Sequence, residues 1–411
     1  MSSLLRTHAD TIIHQSIQAV LPDEAVRRAL QAHHFPGRVF LVAAGKAAWQ
    51  MAHAAVRYLP DIEKGVVVTK YDHVQGEIPH CTCFEAGHPI PDENSFRGTD
   101  AAIQLVSNLT PEDTVLFLLS GGGSALFEKP LIPAEELQQI TGQLLACSAN
   151  IVEINTIRKR LSAVKGGRFA QLCQPAKVFS IVLSDILGDP LDMIASGPAC
   201  ADKSTCEDAQ RIAEKYHLTL SEQARACLAH ETPKHLDNVE TRINGSVREL
   251  CSAAAASAEA LGYQPIMLTD QLCCQAKEAG SFLASILLTH QHSEKPLAFI
   301  AGGETVVQLI GKGKGGRNQE LALAAAEGIA GLPNAAVFSV GSDGTDGPTD
   351  AAGGFVDGTT QEKLAAVGLS IHDVLSNNDA YHALQKVDGL IITGPTGTNV
   401  NDFAVALVRP V

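Results

Sequence analysis

Short apolar segments alternate with helix-like segments along most of the chain. The segments "RVFLVAAG", "TVLFLLS" and "KVFSIVLS" (38–45, 114–120 and 177–184) are rich in β-branched residues and almost free of polar ones. Such runs are typical of strands buried on both faces of a sheet, and "GVVVTK" (65–70) has the same character. Helix-like stretches, such as the one from Lys46 to about Leu59, lie between them. The pattern predicts an α/β fold with a mostly parallel sheet covered by helices on both faces.

A change in composition around residues 202–245 marks the best candidate for a passage between two domains. This stretch is polar and charged, and the strand–helix rhythm resumes after it with a helix near 246–261 and the strand "QPIMLT". A chain of 411 residues is too long for one ordinary core and suits two domains. We therefore predict two α/β domains with mostly parallel sheets, a Rossmann-like domain over residues 1–235 and a second domain over residues 236–411.

The formal net charge of −14 argues against a surface that binds nucleic acid or anionic membranes. The longest apolar runs, such as "VLFLL" (115–119), are far too short to span a membrane. The N-terminal segment has Asp10 where a signal peptide would need an unbroken apolar stretch. We predict a cytoplasmic protein, monomeric or homodimeric, with small-molecule partners and neither nucleic acid nor membrane among them.

The ten cysteines show no C-x-x-C pair and lie mostly inside apolar stretches. We interpret them as reduced thiols that serve as small apolar side chains in the cytoplasm. One cluster contains residues of the types that bind zinc: His80, Cys81, Cys83 and His88. Because C-x-C lacks a second spaced pair, this zinc signal is weak.

Glycine-rich loops follow the predicted strands, at the sheet edge where open parallel sheets bind ligands. Lys46 comes after a glycine at the start of a helix, where free N–H groups favour an anion, although a solvated lysine fits the pattern equally well. The segment "SGGGS" lets the backbone approach a ligand closely and offers two hydroxyls to phosphate oxygens, unless it is only a tight turn. Its residues are Ser120, Gly121, Gly122, Gly123 and Ser124.

A third loop, "SDILGDPLDMIASGP" (184–198), crowds Asp185, Asp189 and Asp192 into one turn. Hard oxygen ligands suit Mg²⁺, which usually takes one or two carboxylates together with substrate phosphate. A purely structural role is the alternative, because aspartates are common in turns.

The segment "GKGKGGR" (311–317) satisfies G-x-G-x-x-G between a strand and a helix, which alone would indicate a dinucleotide-binding turn. A dinucleotide turn works through close approach of a neutral backbone, whereas Lys312, Lys314 and Arg317 bring three cations to this loop. The acidic residue expected about twenty positions further on is also missing, since the next carboxylate at a strand end is Asp343. We therefore interpret the loop as a clamp for a polyphosphate.

The motifs form a recognisable set, which runs from about Lys46 to Asp402 in the order "GKAA", "LLSGGGSAL", "INTIRKRLSAVKGGRFA", "SDILGDPLDMIASGP", "GGETVVQLIGKGKGGRNQELALA", "GSDGTDGPTDAAGG" and "TGPTGTNVND". Together they resemble the glycerate 2-kinases, a bacterial and animal family with a C-terminal MOFRL domain whose members have often been called hydroxypyruvate reductases. The resemblance implies phosphorylation of D-glycerate to 2-phosphoglycerate with ATP and Mg²⁺. It also implies an active site in the cleft between the two domains, the second being of MOFRL type.

The same resemblance implies roles for individual residues. Lys46 and Arg317 would act on the transferring phosphoryl group, and Asp189 would orient or deprotonate the 2-hydroxyl of glycerate. The candidates for holding Mg²⁺, directly or through water, are Asp185, Glu304 and Asp343. The candidates for binding the nucleotide phosphates are Ser120, Gly121, Gly122, Gly123, Ser124, Lys312 and Lys314. Arg158 and Lys159 are the candidates for the glycerate carboxylate.

Two other functions stay open at the level of sequence. A reductase acting on hydroxypyruvate or tartronate would need NAD(P)H and would consume its absorbance. A non-catalytic sensor of phosphorylated sugars would release no ADP, and it would have no use for so many carboxylates at strand ends.

Overall fold

The computed structural model describes residues 2–410, so Met1 and Val411, which the predicted domains include, lie outside the described residues. The helices are α1 (Ser2–Ala19), α2 (Pro22–Gln31), α3 (Ala48–Tyr58), α4 (Glu93–Val106), α5 (Gly123–Leu126), α6 (Ala134–Ala146), α7 (Ile151–Arg160), α8 (Arg168–Leu172), α9 (Cys206–Lys215), α10 (Glu222–Leu228), α11 (Val247–Ala260), α12 (Ala276–His290), α13 (Arg317–Gly328), α14 (Thr360–Ala366), α15 (Ile371–Ser376) and α16 (Ala380–Gln385). The strands are β1 (Val39–Ala44), β2 (Ile62–Lys70), β3 (Cys81–Ala86), β4 (Thr114–Leu119), β5 (Lys177–Leu183), β6 (Val239–Gly245), β7 (Gln264–Leu272), β8 (Leu297–Gly303), β9 (Ala335–Gly341), β10 (Gly353–Asp357), β11 (Leu390–Ile391) and β12 (Asp402–Val408).

The first sheet has the strand order β3-β2-β1-β4-β5-β6. Strands β1 to β5 pair in parallel with their neighbours, as the apolar runs of β1, β2, β4 and β5 predicted. Alternate residues of β1 belong to different cores, since Leu41 and Ala43 lie in one buried cluster and Val42 and Ala44 in another. Both faces of this sheet are therefore covered. Strands β3 and β6 were not predicted, because their polar, half-exposed residues do not resemble a buried strand.

The second sheet has the order β11-β10-β9-β12-β8-β7. Strands β7 and β8 are parallel, whereas β12 runs antiparallel to both β8 and β9, and β10 runs antiparallel to β9. The α/β class is confirmed, and the mixed direction of this sheet is a feature that the sequence pattern did not predict. Strand β12 is buried along its whole length, so its apolar run has the same pattern as a parallel strand.

The chain divides into two compact units. Residues 25–244 form the first unit, and residues 245–411 together with the segment up to Glu24 form the second. The predicted boundary lies earlier, between 235 and 236, and it placed the N-terminal helix in the other domain. Helix α1 belongs to the second unit because it packs on α11 and its Arg6 side chain donates to the carbonyl oxygens of Asp388 and Leu390, at 3.1 and 3.0 Å.

Within residues 2–410, the structure contains no helix with the length and apolar character needed to cross a membrane.

Candidate active site

The carboxyl ends of β1, β4 and β5 meet at one edge of the first sheet. Their register sets Ala44 beside Leu119, and Leu119 beside Val182. The loops that follow therefore touch each other. The backbone N–H of Lys46 donates to the carbonyl oxygen of Gly121 at 2.9 Å. This edge gathers the sequence-predicted residues of the first unit.

Close packing explains the glycines at this edge. A methyl group on Gly121 would lie 2.3 Å from Oδ2 of Asp185, so the aspartate carboxylate rests directly against the loop. Gly122 has a φ of 83°, and a methyl group there would lie 3.2 Å from Cγ of Lys46. Only glycine permits this backbone conformation and this approach without strain. The loop thus places Asp185 beside Gly121, and Lys46, whose side chain is exposed, beside Gly122.

Ser120 has a partner inside the protein. Its hydroxyl accepts the backbone N–H of Ala47 at 3.1 Å, and the residue is 3% exposed. It satisfies one of the N–H groups left free at the start of α3. This bond uses a lone pair of the hydroxyl and leaves its proton, so the predicted donation to phosphate stays a prediction.

The turn over residues 184–198 is strained. Asp189, Ala195 and Ser196 have φ values of 52°, 50° and 62°, in the left-handed region that side chains disfavour. Each such residue costs about 1–3 kcal/mol, and residues of this kind cluster at functional sites. Oδ1 of Asp189 is buried and has no hydrogen-bond partner among the described residues. A buried carboxylate oxygen without a partner is a candidate for contact with a substrate proton or a cation.

The two basic candidates for the glycerate carboxylate have partners of their own. Lys159 is 3% exposed in its side chain, and its ammonium lies 3.2 Å from Asp192 and 3.1 Å from Asp202. Nη2 of Arg158 donates to the carbonyl oxygen of Ser124 at 3.1 Å. Burial lowers the pKa of Arg158, and the charge of Glu128 opposes that shift. The charge of Lys159 is thus balanced by carboxylates within the protein, whereas Arg158 holds the SGGGS loop (120–124).

Two histidines not considered as catalytic groups lie at the same edge. Nδ1 of His73 lies 2.9 Å from the carbonyl oxygen of Lys46. The ring of His88 borders Gly122, where a methyl group would lie 3.0 Å from Cδ2. Burial lowers the pKa of His88, and the charges of Lys46 and Lys70 act in the same direction. No spacing in the sequence connects these residues to Lys46; the packing of β2 and β3 beside β1 does.

The weak zinc cluster gains no support. Among residues 2–410, the group whose ligand atoms converge as a metal site would require is Cys206, Glu207 and Glu231, at the start of α9. It does not include the cluster that begins with His80. Glu231 is also paired with Lys234 at 2.7 Å and with Arg160 at 3.2 Å.

A second group of charged side chains lies at one edge of the second sheet. Strand β12 begins beside the ends of β8 and β9, because Asp402 pairs with both Gly303 and Gly341. Glu304 follows β8 and Asp343 follows β9, so the antiparallel direction of β12 brings a third carboxylate to the same edge. The sequence motif contained Asp402, but its role depends on this strand direction and was not predicted.

Arg317 connects these carboxylates. Its Nε and Nη2 donate to the two oxygens of Asp402 at 2.5 and 3.1 Å, and Nη1 lies 2.8 Å from Oε1 of Glu304. Burial alone would lower the pKa of Arg317, but the hydrogen bonds and the negative charge of Asp402 raise it above its ordinary value. The side chain therefore stays cationic. Asp402 fixes one edge of the guanidinium plane, and N–H groups on the end formed by Nη1 and Nη2 stay available for a ligand.

Most backbone N–H groups of the GKGKGGR loop (311–317), those of residues 311–314, are already hydrogen-bonded, as is that of Ile310. The N–H groups of Ile310 and Gly311 both donate to Oδ1 of Asn378 at 2.9 Å. Those of residues 312–314 donate to oxygens of Asn377 and Asp379, at 3.1, 2.8 and 2.9 Å. A dinucleotide turn needs such N–H groups for the pyrophosphate. Along residues 310–314, an anion would therefore have to be held by side chains.

The two lysines of this loop differ in their surroundings. Lys312 is exposed. The ammonium of Lys314 lies 4.4 Å from the centre of the Tyr381 ring, a cation–π contact that restricts it. The glycines here allow close contact between two segments, since a methyl group on Gly313 would lie 2.4 Å from Cβ of Asp379.

Asp346 holds the start of α13. Its carboxylate accepts the backbone N–H groups of Asn318 and Gln319 at 3.1 and 2.9 Å, directly after Arg317. Burial raises the pKa of Asp346 to about 7, although these bonds oppose the shift. A methyl group on Gly316 would lie 2.2 Å from its Cγ, so this glycine makes room for the carboxylate. The sequence analysis did not assign Asp346 this role.

Two families match the chain. Residues 8–229 match a family described as a domain of unknown function (DUF4147), and residues 297–402 match the MOFRL family. The D-glycerate 2-kinase of Thermotoga maritima is 52% identical over 411 residues, which cover 98% of each chain. A putative hydroxypyruvate reductase of Agrobacterium vitis is 38% identical over 389 residues, covering 90% of this chain and 100% of its own.

The solved structure of a glycerate kinase from Thermotoga maritima has the same fold. It matches with a TM-score of 0.94 and 51% identity, over 99% of this chain and 100% of the other.

Proposed function

The chain belongs to the glycerate kinase family that combines the DUF4147 and MOFRL domains, and from this premise we propose that it transfers the γ-phosphoryl group of ATP to D-glycerate, giving 2-phosphoglycerate and ADP. The observation that carries the proposal is the similarity to a D-glycerate 2-kinase over 98% of both chains. The cytoplasmic location, the oligomeric state and the position of the active site relative to the domains stay predictions.

The hydrogen bonding of the GKGKGGR loop (311–317) disfavours the reductase alternative. The N–H groups of residues 310–314 donate to residues 377–379, so this part of the loop is not free to hold the pyrophosphate of NAD(P)H. What the loop offers an anion is the charge of Lys312 and Lys314, which suits the phosphates of ATP. The sensor alternative leaves the buried, unpartnered oxygen of Asp189 without a use.

At the edge of the first sheet, Asp189 serves as the group that orients or deprotonates the 2-hydroxyl of glycerate. Two observations support this role. Asp189 lies in a strained turn, and its buried Oδ1 accepts no hydrogen bond from residues 2–410, so it can accept the proton of a substrate hydroxyl. Lys46 and the Gly121–Gly123 loop bind phosphate oxygens beside it. Lys46 is exposed and follows a strand end, so its ammonium can reach a ligand.

At the edge of the second sheet, Arg317 stabilises the phosphoryl group during transfer. The bonds that Arg317 donates to Asp402 fix the guanidinium before any ligand arrives, and such fixed charges stabilise a transition state without reorganisation. Phosphoryl transfer requires mainly this alignment and neutralisation of charge.

At each of the two sheet edges, carboxylates offer oxygen ligands for a magnesium ion of the kind that accompanies ATP. Asp185 lies against the Gly121 backbone, and Glu304 and Asp343 follow the ends of β8 and β9. Mg²⁺ prefers oxygen ligands and usually keeps several waters, so it needs no complete protein cage. Bound Mg²⁺ would neutralise charge on the phosphate oxygens.

Two assays with one preparation test the proposal. ADP release is measured with ATP, Mg²⁺ and D-glycerate, and NADH absorbance is followed with hydroxypyruvate. We expect ADP release that depends on D-glycerate and no change in absorbance. Consumption of NADH without ADP release would establish the reductase instead.

A further inference from the structure

A row of three polar side chains connects the SGGGS loop (120–124) to the strained turn (184–198). Oγ of Ser124 lies 3.1 Å from Oγ of Ser196, and Ser196 donates to Oδ1 of Asn155 at 3.0 Å. Nδ2 of Asn155 in turn lies 3.3 Å from Sδ of Met193. Asn155 is 3% exposed and Ser196 is fully buried, so the inner part of the row is closed to water.

The chemistry of the row fixes the direction of its hydrogen bonds. A thioether sulfur only accepts, so the Asn155 amide must turn its NH₂ towards Met193 and its oxygen towards Ser196. Ser196 has one hydroxyl proton, and it gives that proton to Asn155. Its oxygen must then accept from Ser124, which uses the single proton of Ser124 as well.

Ser124 is thus left with lone pairs and no proton for a ligand. From this we infer that Ser124 accepts a hydrogen bond from a hydroxyl group of the substrate and determines specificity for it, instead of donating to a phosphate. The inference rests on the proposed function. D-glycerate carries two hydroxyls, and the proton of the 2-hydroxyl goes to Asp189 in that function. The 3-hydroxyl is the one that needs an acceptor, so Ser124 selects for it.

The surroundings of the row keep it in this arrangement. The carbonyl oxygen of Ser124 is held by Arg158 at 3.1 Å, and the carbonyl oxygen of Ser196 accepts from the N–H of Gly166 at 3.0 Å. Ser196 has a left-handed φ of 62°, and its hydroxyl contacts both of the other side chains. Strained residues persist where the surrounding structure holds them, as these bonds do here.

The test compares D-glycerate with two analogues that keep the 2-hydroxyl. D-lactate lacks the 3-hydroxyl, and 3-fluoro-D-lactate replaces it with a fluorine of similar size that cannot donate a hydrogen bond. We expect kcat/KM of the wild-type protein to be lower by about 10-fold or more for both analogues, because the hydrogen bond from the 3-hydroxyl is lost and Ser124 is left without its partner. In Ser124→Ala, this preference for D-glycerate should fall close to 1.

Two further variants separate this role from a structural one. Ser196→Ala removes the acceptor of the Ser124 proton, so Ser124 can donate and the preference over the fluoro analogue should fall. Ser107→Ala removes an exposed hydroxyl at the end of α4 in the same unit and should leave the preference as in the wild type. Thermal melting checks that every variant is folded.

Equal kcat/KM for D-glycerate and the fluoro analogue in the wild type would overturn the inference. It would also be overturned if Ser124→Ala lowered kcat/KM for all three acids by the same factor, because the serine would then only shape the loop. A wild-type protein that does not phosphorylate D-glycerate would instead overturn the proposed function, and this inference with it.

Discussion

Replacing Arg317 with lysine keeps the positive charge and removes the planar fork. In the structure the fork makes two bonds to Asp402, at 2.5 and 3.1 Å, and a third to Glu304. A lysine ammonium has no second donor at the same spacing, so at most one of the two bonds to Asp402 remains. Asp402 is 7% exposed, and losing one charge-assisted bond to it should lower the free energy of unfolding by about 1.5–3 kcal/mol.

The effect of Arg317→Lys on catalysis should be larger than its effect on stability. In the proposed function the Nη1–Nη2 end of the guanidinium contacts the phosphoryl group. Lysine would lose the alignment that Asp402 gives this end and would offer one ammonium in place of two nitrogens, so we expect kcat to fall on the order of 10³-fold, as for other catalytic arginines. KM for ATP should change much less, because the contact strengthens in the transition state. Steady-state kinetics with D-glycerate measure both constants, and thermal melting measures stability.

Arg248→Lys provides the matched control. Arg248 pairs with Asp270 at 2.8 Å in the same unit, with 65% of its side chain exposed, so the substitution should alter neither kcat nor melting appreciably. If folded Arg317→Lys kept kcat within about 10-fold of the wild type, Arg317 would not clamp the transferring group.

Four further predictions concern the other charged groups. Lys46→Met should lower kcat by about 10²-fold or more with unchanged melting, and near-normal turnover would make Lys46 a solvated lysine at a helix start. Asp189→Asn should lower kcat by about 10²-fold or more, and activity within a few-fold of the wild type would exclude a role as base or metal contact. Chelation should stop the reaction and Mn²⁺ should partly restore it, since oxygen ligands accept both ions; a reaction that continues in excess chelator would refute the metal requirement. The pKa of Asp346 is raised to about 7 in the folded state from 3.8, so its protonation stabilises the fold at low pH and this contribution is lost as pH rises from about 4 to 7. Unfolding measured across that range should show a pH dependence that Asp346→Asn lacks, and an identical dependence in both proteins would contradict the assignment.

The fold was predictable where apolar pattern and burial coincide. Strands β1, β4 and β5 lie close to the runs that predicted them, because each is buried along almost its whole length. Strands β3 and β6 were missed because their half-exposed residues show no apolar run. The direction of β12 was also not predictable, since a buried strand has the same pattern whichever way it runs.

The candidate site was predictable as a set of loops and much less as a set of contacts. Motifs located Lys46, Asp189 and Arg317, since glycines and charges at strand ends are visible in the sequence. The partners of these loops were not visible, because they lie far away along the chain. Strand pairing brings Asp402 to Arg317. Asn378 accepts the N–H groups of Gly311 and Ile310, although it lies 67 and 68 residues away along the chain.

The identity of the phosphorylated product tests the central claim most directly. Purified protein is incubated with ATP, Mg²⁺ and D-glycerate, and the product isomer is identified by phosphorus NMR. The proposed function predicts 2-phosphoglycerate together with an equal amount of ADP. Formation of 3-phosphoglycerate, or of no phosphorylated glycerate by a folded protein, would contradict it.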